Sequence, residues 1–176
     1  MEEETLVLIK PDGVSRNLIG EIISRFERAG LQITGLKLIR PTEELANAHY
    51  LLSEEWVKGI ATKTRESFAK KGMTMQETDM QIATRVQKWL KNLLLSGPIV
   101  AIVLRGNCAI EIVRKLVGST EPRSAAAGTI RGDYSIDSYD LADSEKRAIC
   151  NLIHASSSIE EAQREIAVWF PKVAYY

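Results

Sequence analysis

His154 is the residue of this chain whose type and setting best fit group-transfer chemistry. It stands in the segment NLIHASSS, just before a predicted helix that begins near Ser158. Backbone N–H groups and serine hydroxyls at the start of a helix favour anions. A neutral imidazole there can attack phosphorus through a ring nitrogen. Taken alone, however, an ordinary hydrogen-bonded or surface histidine is the commoner explanation.

Several other classes of chemistry are excluded because their motifs are missing. The chain has no GxxxxGK[ST], GxGxxG, GxSxG or HExxH segment, so P-loop, dinucleotide, serine-hydrolase and zincin sites lack their signatures. Two histidines, His49 and His154, are too few for a multi-histidine metal centre. Cys108 and Cys150 show neither redox nor zinc-site spacing, and we interpret them as reduced thiols.

Length and charge favour one globular domain over residues 1–176. The chain is 45% hydrophobic and 26% charged, as is usual for such domains. Its 23 basic and 23 acidic side chains cancel, which disfavours dedicated nucleic-acid binding. The acidic start, Met1–Glu4, lacks the layout of a secretory signal, and no apolar run approaches the ~20 residues of a membrane span. We therefore expect a cytoplasmic protein with no membrane partner.

Apolar spacing predicts alternating strands and helices. The predicted strands cover Thr5–Lys10, Leu31–Arg40, Ile99–Leu104 and Thr129–Ile136. The predicted helices cover Asn17–Ala29, Thr42–Leu52, Gln81–Leu95, a segment capped by Asn107 that stops near Gly118, a short segment capped by Asp143 or Ser144 that reaches Leu152, and a segment opened by a Ser158–Glu161 capping box. This order favours an α+β sandwich with helices on one face of an antiparallel-containing sheet.

Three groups of motifs, taken together, resemble the nucleoside diphosphate kinase family. They are TLVLIKPDGVSRNLIGEIISRFE, then SGPIVAIVLRGNCAIEIVRKLVGST, then PRSAAAGTIRGDY with NLIHASSSIEEAQREIAVWF. The likeness runs in order from Thr5 to Phe170 apart from two stretches. It implies a ferredoxin-like sandwich whose four-stranded antiparallel sheet is covered by helices. It also implies ping-pong transfer of the γ-phosphate of a nucleoside triphosphate to a histidine and then to a nucleoside diphosphate.

The resemblance also implies a role for each matching residue. His154 falls on the phosphorylated nucleophile, Lys10 on a phosphate-contacting lysine, and Tyr50 on the tyrosine beside the phosphohistidine. Ser156 and Glu165 fall on the pair that orients the histidine. The remaining matches are nucleotide contacts: Arg114, Thr120 and Arg131 for the phosphates, and Asn151 for the sugar. Mg²⁺ is the implied cofactor, held mainly by nucleotide phosphates and water, and a homo-oligomer, tetramer or hexamer, is the implied assembly.

Two segments are longer than the family pattern requires. The first is 51–95, whose part up to Thr78 is polar and without a clear period, and the second lies near 135–149. The family stacks the base on an aromatic residue in the first segment, and Trp56, followed by Phe68, is the candidate. We hypothesise that both segments form a helical cap over the nucleotide cleft.

Two other functions stay open at this point. One is a catalytically inactive nucleotide-sensing or interaction module on the same fold, because a fold alone does not establish activity. The other is a histidine phosphocarrier that passes its phosphate to a protein. Individual residues also have structural explanations, such as a solvated Arg114, a strand-end Lys10, an exposed Glu165 or a core Tyr50.

Overall fold

A four-stranded antiparallel sheet with the strand order β2-β3-β1-β4 organises the chain. The computed structural model describes residues 2–70 and 72–171. The strands are β1 (Glu2–Ile9), β2 (Gln32–Ile39), β3 (Ile99–Asn107) and β4 (Ile153–Ala155). The helices are α1 (Pro11–Ser15), α2 (Ile19–Arg28), α3 (Glu43–His49), α4 (Glu54–Lys70), α5 (Asp79–Leu95), α6 (Ala109–Val117), α7 (Ile130–Tyr134), α8 (Tyr139–Ser144) and α9 (Ile159–Trp169). The expected ferredoxin-like α+β fold is confirmed.

Helices cover both faces of the sheet, so the prediction of helices on one face is wrong. On β1, Val7 and Ile9 pack with α2 and α6, whereas Leu6 and Leu8 pack with α3, α5 and α9. All five residues from Thr5 to Ile9 are buried. A strand covered on both faces gives a continuous apolar run, as TLVLI does at residues 5–9, whereas a strand with one solvated face alternates.

The fourth strand is not where the sequence pattern placed it. Residues 130–134 of the predicted strand Thr129–Ile136 form α7, because the Thr129 hydroxyl accepts the Gly132 N–H and caps a helix. The fourth strand is β4, which pairs with the end of β1 so that His154 lies opposite Leu8. With three residues, β4 is too short to show a two-residue period. His154 therefore lies on a strand and not in a loop before a helix.

Two predicted helix starts also need correction. Helix α8 begins after Ser138 and ends at Ser144, so Asp143 and Ser144 do not cap it and it does not reach Leu152. Asn107 is the last residue of β3, and the cap position of α6 belongs to Cys108.

Helix α9 has only half of the predicted capping box. The Ser158 hydroxyl accepts the Glu161 N–H at 3.1 Å, as expected. The Glu161 carboxylate, however, accepts the N–H of Ser157 at 2.6 Å instead of that of Ser158.

Most of the polar stretch after residue 51 is helical. Residues 54–70 form α4, which packs against α5. Helix α5 opens with a complete capping box between Thr78 and Gln81. Within the described ranges, no helix is long and apolar enough to cross a membrane.

Candidate active site

His154 on β4 and Glu165 on α9 form the centre of the site. The Nε2 atom of His154 lies 3.0 and 2.9 Å from the two carboxylate oxygens of Glu165. Ser156, two residues along the extended chain and so on the same side, donates its hydroxyl to Glu165 Oε2 at 2.6 Å. Because a carboxylate only accepts, the proton of neutral His154 lies on Nε2. Its Nδ1 atom then keeps a lone pair.

The carboxylate of Glu165 is held in its charged form. Its side chain is 1% exposed, whereas that of His154 is 23% exposed. Burial favours the neutral acid, but positive charge on His154, the hydrogen bond from His154, and smaller contributions from His49 and Ser156 outweigh it and lower the pKa of Glu165 to about 2. A negative charge is therefore fixed beside the histidine at neutral pH.

His49, at the end of α3, completes this cluster. Its Nδ1 atom accepts the indole N–H of Trp169 at 3.3 Å and lies 3.4 Å from Glu165 Oε1. The His49 ring stands perpendicular to the His154 ring, with 4.6 Å between centroids. Burial, and then the nearby charge of His154, lower the pKa of His49 to about 3, so its ring is neutral at pH 7. No sequence pattern marks His49 as a site residue, and its only signal is its position next to Tyr50.

A second set of polar side chains links Lys10 to Asn151. The buried Lys10 ammonium follows β1 and donates to the Asn151 carboxamide oxygen. The Asn151 amide nitrogen donates in turn to the Thr120 carbonyl at 2.7 Å. Burial lowers the pKa of Lys10 to about 8. The chain thus holds a cation in a poorly hydrated position, where a phosphate would interact strongly with it.

Arg131 on α7 holds the backbone segments near Lys10 together by hydrogen bonds. Its guanidinium donates to the carbonyls of Asn151, Gly118 and Ile153, at 3.3, 3.0 and 2.7 Å. Burial lowers its pKa to about 10. A guanidinium has five N–H groups, so two are left over. Arg114, exposed on α6, lies near enough for its positive charge to lower the pKa of Arg131 as well.

Tyr50 lies beside the histidine cluster, with its ring centroid 4.6 Å from that of His49. Its carbonyl accepts a 2.6 Å hydrogen bond from Gln87 of α5. Burial raises the pKa of its phenol, and the negative charges of Glu165 and Asp12 raise it further. The hydroxyl therefore stays protonated and can serve as a hydrogen-bond donor.

Comparison with known proteins gives the family. The family model described as nucleoside diphosphate kinase matches residues 3–65 and 83–175. The chain belongs to the nucleoside diphosphate kinase family. The unmatched interval, 66–82, lies inside the enlarged segment 51–95. As a member of this family, the chain is a phosphotransferase that acts on nucleotides.

Individual relatives agree over nearly the full length. The nucleoside diphosphate kinase of Pyrobaculum aerophilum is 48% identical over 173 residues, which is 96% of this chain and 94% of the relative. That of Pyrococcus abyssi is 42% identical over 169 residues, covering 96% and 84%. A crystal structure of an NDP kinase from Pyrobaculum aerophilum superposes with a TM-score of 0.92 at 46% identity, covering 98% and 97%. A structure of the Borrelia burgdorferi enzyme, a transition-state mimic with bound vanadate and ADP, superposes with a TM-score of 0.80 at 35% identity. The superposition covers 99% of this chain and 92% of that one.

The two enlarged segments of this kinase meet across an open groove of about 740 Å³. One wall is formed by α5 and includes Trp89, and the other includes Lys146 from the second segment. The guanidinium of Arg85 lies over the Trp89 ring, 4.9 Å from its centroid. Trp56 and Phe68 are half-buried on α4 and do not line this groove.

The donor set around Lys10 fits a magnesium ion that takes its ligands from a nucleotide. Mg²⁺ prefers oxygen ligands, and of the Glu165 and Asp12 carboxylate oxygens, Asp12 Oδ1 alone has no hydrogen-bond partner among the described residues. Glu165 binds His154 and Ser156, and one oxygen of Asp12 accepts the Leu152 N–H at 2.8 Å. The atoms of His49, His154 and Glu165 lie within 4.8 Å of one another, but two imidazoles do not suit Mg²⁺.

Proposed function

We propose that this nucleoside diphosphate kinase works by a ping-pong reaction in which His154 carries the phosphoryl group. The observation that supports this most directly is the contact of His154 Nε2 with both oxygens of Glu165. It fixes the ring and leaves Nδ1 as the nucleophile. Since the imidazole is partly exposed and Glu165 is buried, a phosphate can approach the ring while the carboxylate stays shielded.

In the first half-reaction, the Nδ1 lone pair forms a bond to the γ-phosphorus as the bond from phosphorus to the β-phosphate oxygen breaks. The nucleoside diphosphate leaves with that electron pair. The ring becomes positively charged, and Glu165 stabilises this charge through the Nε2–H contact. In the second half-reaction, a β-phosphate oxygen of another diphosphate attacks the phosphorus and the electron pair returns to Nδ1. Ser156 keeps the carboxylate in place throughout.

The polar side chains around Lys10 and Arg131 supply the charge that phosphoryl transfer requires in this proposal. The transferred group spreads negative charge over its oxygens, so fixed cations and N–H donors lower the barrier. We assign Lys10, the two spare N–H groups of Arg131, Arg114 and Thr120 to the phosphates. We assign Tyr50 to donate its hydroxyl near the transferred group and Asn151 to contact the sugar. Mg²⁺ bound to the nucleotide oxygens would neutralise further charge.

The groove between Trp89 and Lys146 is the place we propose for the base. It is connected to the catalytic cluster on both sides. Helix α5 contacts Tyr50 through Gln87, and Lys146 precedes the segment that carries Asn151. A flat aromatic ring on an open surface suits bases of any kind, which agrees with broad base specificity. Trp89 then replaces Trp56 and Phe68 as our candidate for stacking.

We also propose a homo-oligomer, tetramer or hexamer, assembled through β2. Among the described residues, β2 pairs only with β3, so its outer edge has unpaired backbone groups. Leu36 and Leu38 on this strand are 53% and 65% exposed. Open edges with apolar side chains pair readily with another strand, and a second copy supplies one by symmetry. Residues 1–176 form a single domain in this proposal.

A reducing compartment, the cytoplasm, fits the two cysteines. Cys108 and Cys150 are both free thiols. Free thiols are usual where disulfides do not persist.

The test is to incubate the protein with γ-labelled ATP and Mg²⁺ without an acceptor. We expect an acid-labile, alkali-stable label on the protein that added GDP removes. His154→Gln, which keeps a side-chain N–H for Glu165 but lacks a nucleophilic nitrogen, should fold and take up no label. Thermal unfolding of both proteins checks the fold. Unchanged labelling of His154→Gln would overturn the proposal, and a label that GDP does not remove would favour a phosphocarrier.

A further inference from the structure

His49 contacts both Glu165 and Trp169. Which ring nitrogen of His49 carries the proton decides whether His49 donates a hydrogen bond to Glu165. Four groups approach the Glu165 carboxylate. Nε2 of His154 and the Ser156 hydroxyl lie within 3.0 Å, and Arg164 Nη2 and His49 Nδ1 lie 3.5 and 3.4 Å from Oε1. His154 and His49 are thus two rings competing for one carboxylate.

Trp169 determines which ring donates. An indole N–H only donates, so its 3.3 Å contact requires an unprotonated Nδ1 on His49. The ring is neutral, and its single proton must then lie on Nε2, which has no partner among the described residues. With the proton on Nδ1 instead, that N–H would face Glu165 Oε1 at 3.4 Å, a long contact to a carboxylate that already has two donors. The indole N–H and His49 Nε2 would then both be buried without partners among the described residues. One unsatisfied polar group costs less than two.

We propose that Trp169 and His49 act as a tautomer lock, which keeps His49 from donating to Glu165 and so leaves His154 as the only ring that does. This inference rests on the proposed phosphorylation of His154 and deepens it. Both residues are positioning residues, because they act on the nucleophile through Glu165. If His49 donated to Oε1, the carboxylate would hold the His154 Nε2 proton less firmly. His154 would then spend more time with its proton on Nδ1, where it cannot attack.

The first experiment uses the fact that the chain has two histidines. Long-range ¹H–¹⁵N spectra of histidine-labelled protein near pH 7.5 give one pattern for each ring, and His154→Gln assigns them. We expect both rings to have the proton on Nε2 and none on Nδ1. A proton on Nδ1 of His49 in the native protein would overturn the proposal. This result does not depend on whether His154 is phosphorylated.

The second experiment removes the lock. In Trp169→Phe the indole N–H is lost, so His49 should move its proton to Nδ1. The rate of phosphorylation should fall about fivefold, as expected for weakening one hydrogen bond, with KM for ATP within twofold. Val103→Ala, a truncation in the same core cluster, controls for lost packing. The proposal would be overturned if His49 carried its proton on the same nitrogen in Trp169→Phe and Val103→Ala and both variants were phosphorylated at the same rate.

Substitutions at His49 separate this role from simple packing. Asparagine keeps a polar side chain that can donate to Glu165, whereas leucine fills space without donating. The tautomer lock predicts that His49→Leu phosphorylates His154 faster than His49→Asn. A purely structural role predicts the reverse, because the polar residue would still accept from Trp169. The comparison therefore remains decisive if Trp169→Phe does not fold.

Discussion

The Asp12 carboxylate holds the backbone of Leu152, two residues before the proposed nucleophile. Its Oδ2 atom accepts the Leu152 N–H at 2.8 Å, and the Leu152 carbonyl accepts the Lys10 N–H at 2.8 Å. Leu152 has a φ of 69°, a left-handed conformation that costs energy for a leucine. A Cβ on Gly13 would lie 3.0 Å from the Leu152 carbonyl oxygen. Lys10 and the start of α1 thus hold Leu152 in a strained conformation between Asn151 and His154 in the chain.

Removing the Asp12 carboxylate should loosen this turn. We expect Asp12→Ala to lower the free energy of unfolding by about 1.5–3 kcal/mol, the usual loss for a hydrogen bond to a charged group, and to slow His154 phosphorylation. Asp12→Asn keeps an acceptor for the Leu152 N–H and should lose less than half as much. Urea unfolding and single-turnover labelling measure both effects. Equal losses in the two variants would show that charge, and not the backbone contact, is what matters.

Lys10 should give the reaction an alkaline limit. Because burial lowers the pKa of Lys10 to about 8, its positive charge is present below that pH and is lost above it. The value of kcat/KM reports the free enzyme, so it should decline above about pH 8. A pH profile of Lys10→Ala should lie lower and lack this decline. If the decline persists in that variant, another group is responsible.

His49 should make the fold sensitive to mild acid. In the folded chain its pKa is about 3, whereas the unfolded value is near 6.5. The unfolded chain therefore takes up a proton first, and stability is lost as the pH falls from 6.5 towards 3, by at most about 1.4 kcal/mol per pH unit. Urea unfolding midpoints between pH 6.5 and 5 measure this loss of stability, at pH values above the range where Glu165 titrates.

A suitable background for this measurement is His154→Gln, in which His49 is the only histidine. Adding His49→Leu should flatten the pH dependence of the midpoint. A slope that survives in the double variant would assign the acid sensitivity to other groups.

Trp89 should affect nucleotide binding more than chemistry. Loss of a stacking surface is worth about 1–3 kcal/mol per base, so Trp89→Ala should raise KM for nucleoside diphosphates at least fivefold. The phosphorylation rate at saturating ATP should change little. Trp56→Ala, outside the groove, is the matched control and should leave KM unchanged. A larger increase in KM for Trp56→Ala than for Trp89→Ala would show that the base binds at α4 instead.

The edge of β2 should control assembly. Replacing Leu36 and Leu38 with lysine puts charge on the exposed edge, which blocks strand pairing between copies. We expect the double variant to have a smaller mass by light scattering at the same concentration. Met73→Lys, an equally exposed apolar residue outside the sheet, should keep the native mass. An unchanged mass in the β2 variant would exclude this edge as the interface.

The sequence by itself determined the family, the α+β class, most of the long elements, and the residue types around the nucleophile. Strands β1, β2 and β3 and helices α2, α5, α6 and α9 have apolar periods long enough to detect. The motifs around Lys10, Arg131 and His154 are local, so their chemistry can be recognised without a structure.

Only the tertiary structure decided the position of β4, the helical state of residues 130–134, and the partners of the site residues. A three-residue strand exists because the edge of β1 is available to pair with it, and α7 exists because one hydroxyl caps it. The neutral His49 and the lowered pKa of Lys10 depend on burial among residues more than 100 positions apart in the chain. The tautomer of His154 depends on the packing of α9 against the sheet, which brings Glu165 to its ring. Such effects belong to the assembled core, and no local pattern of residue types contains them.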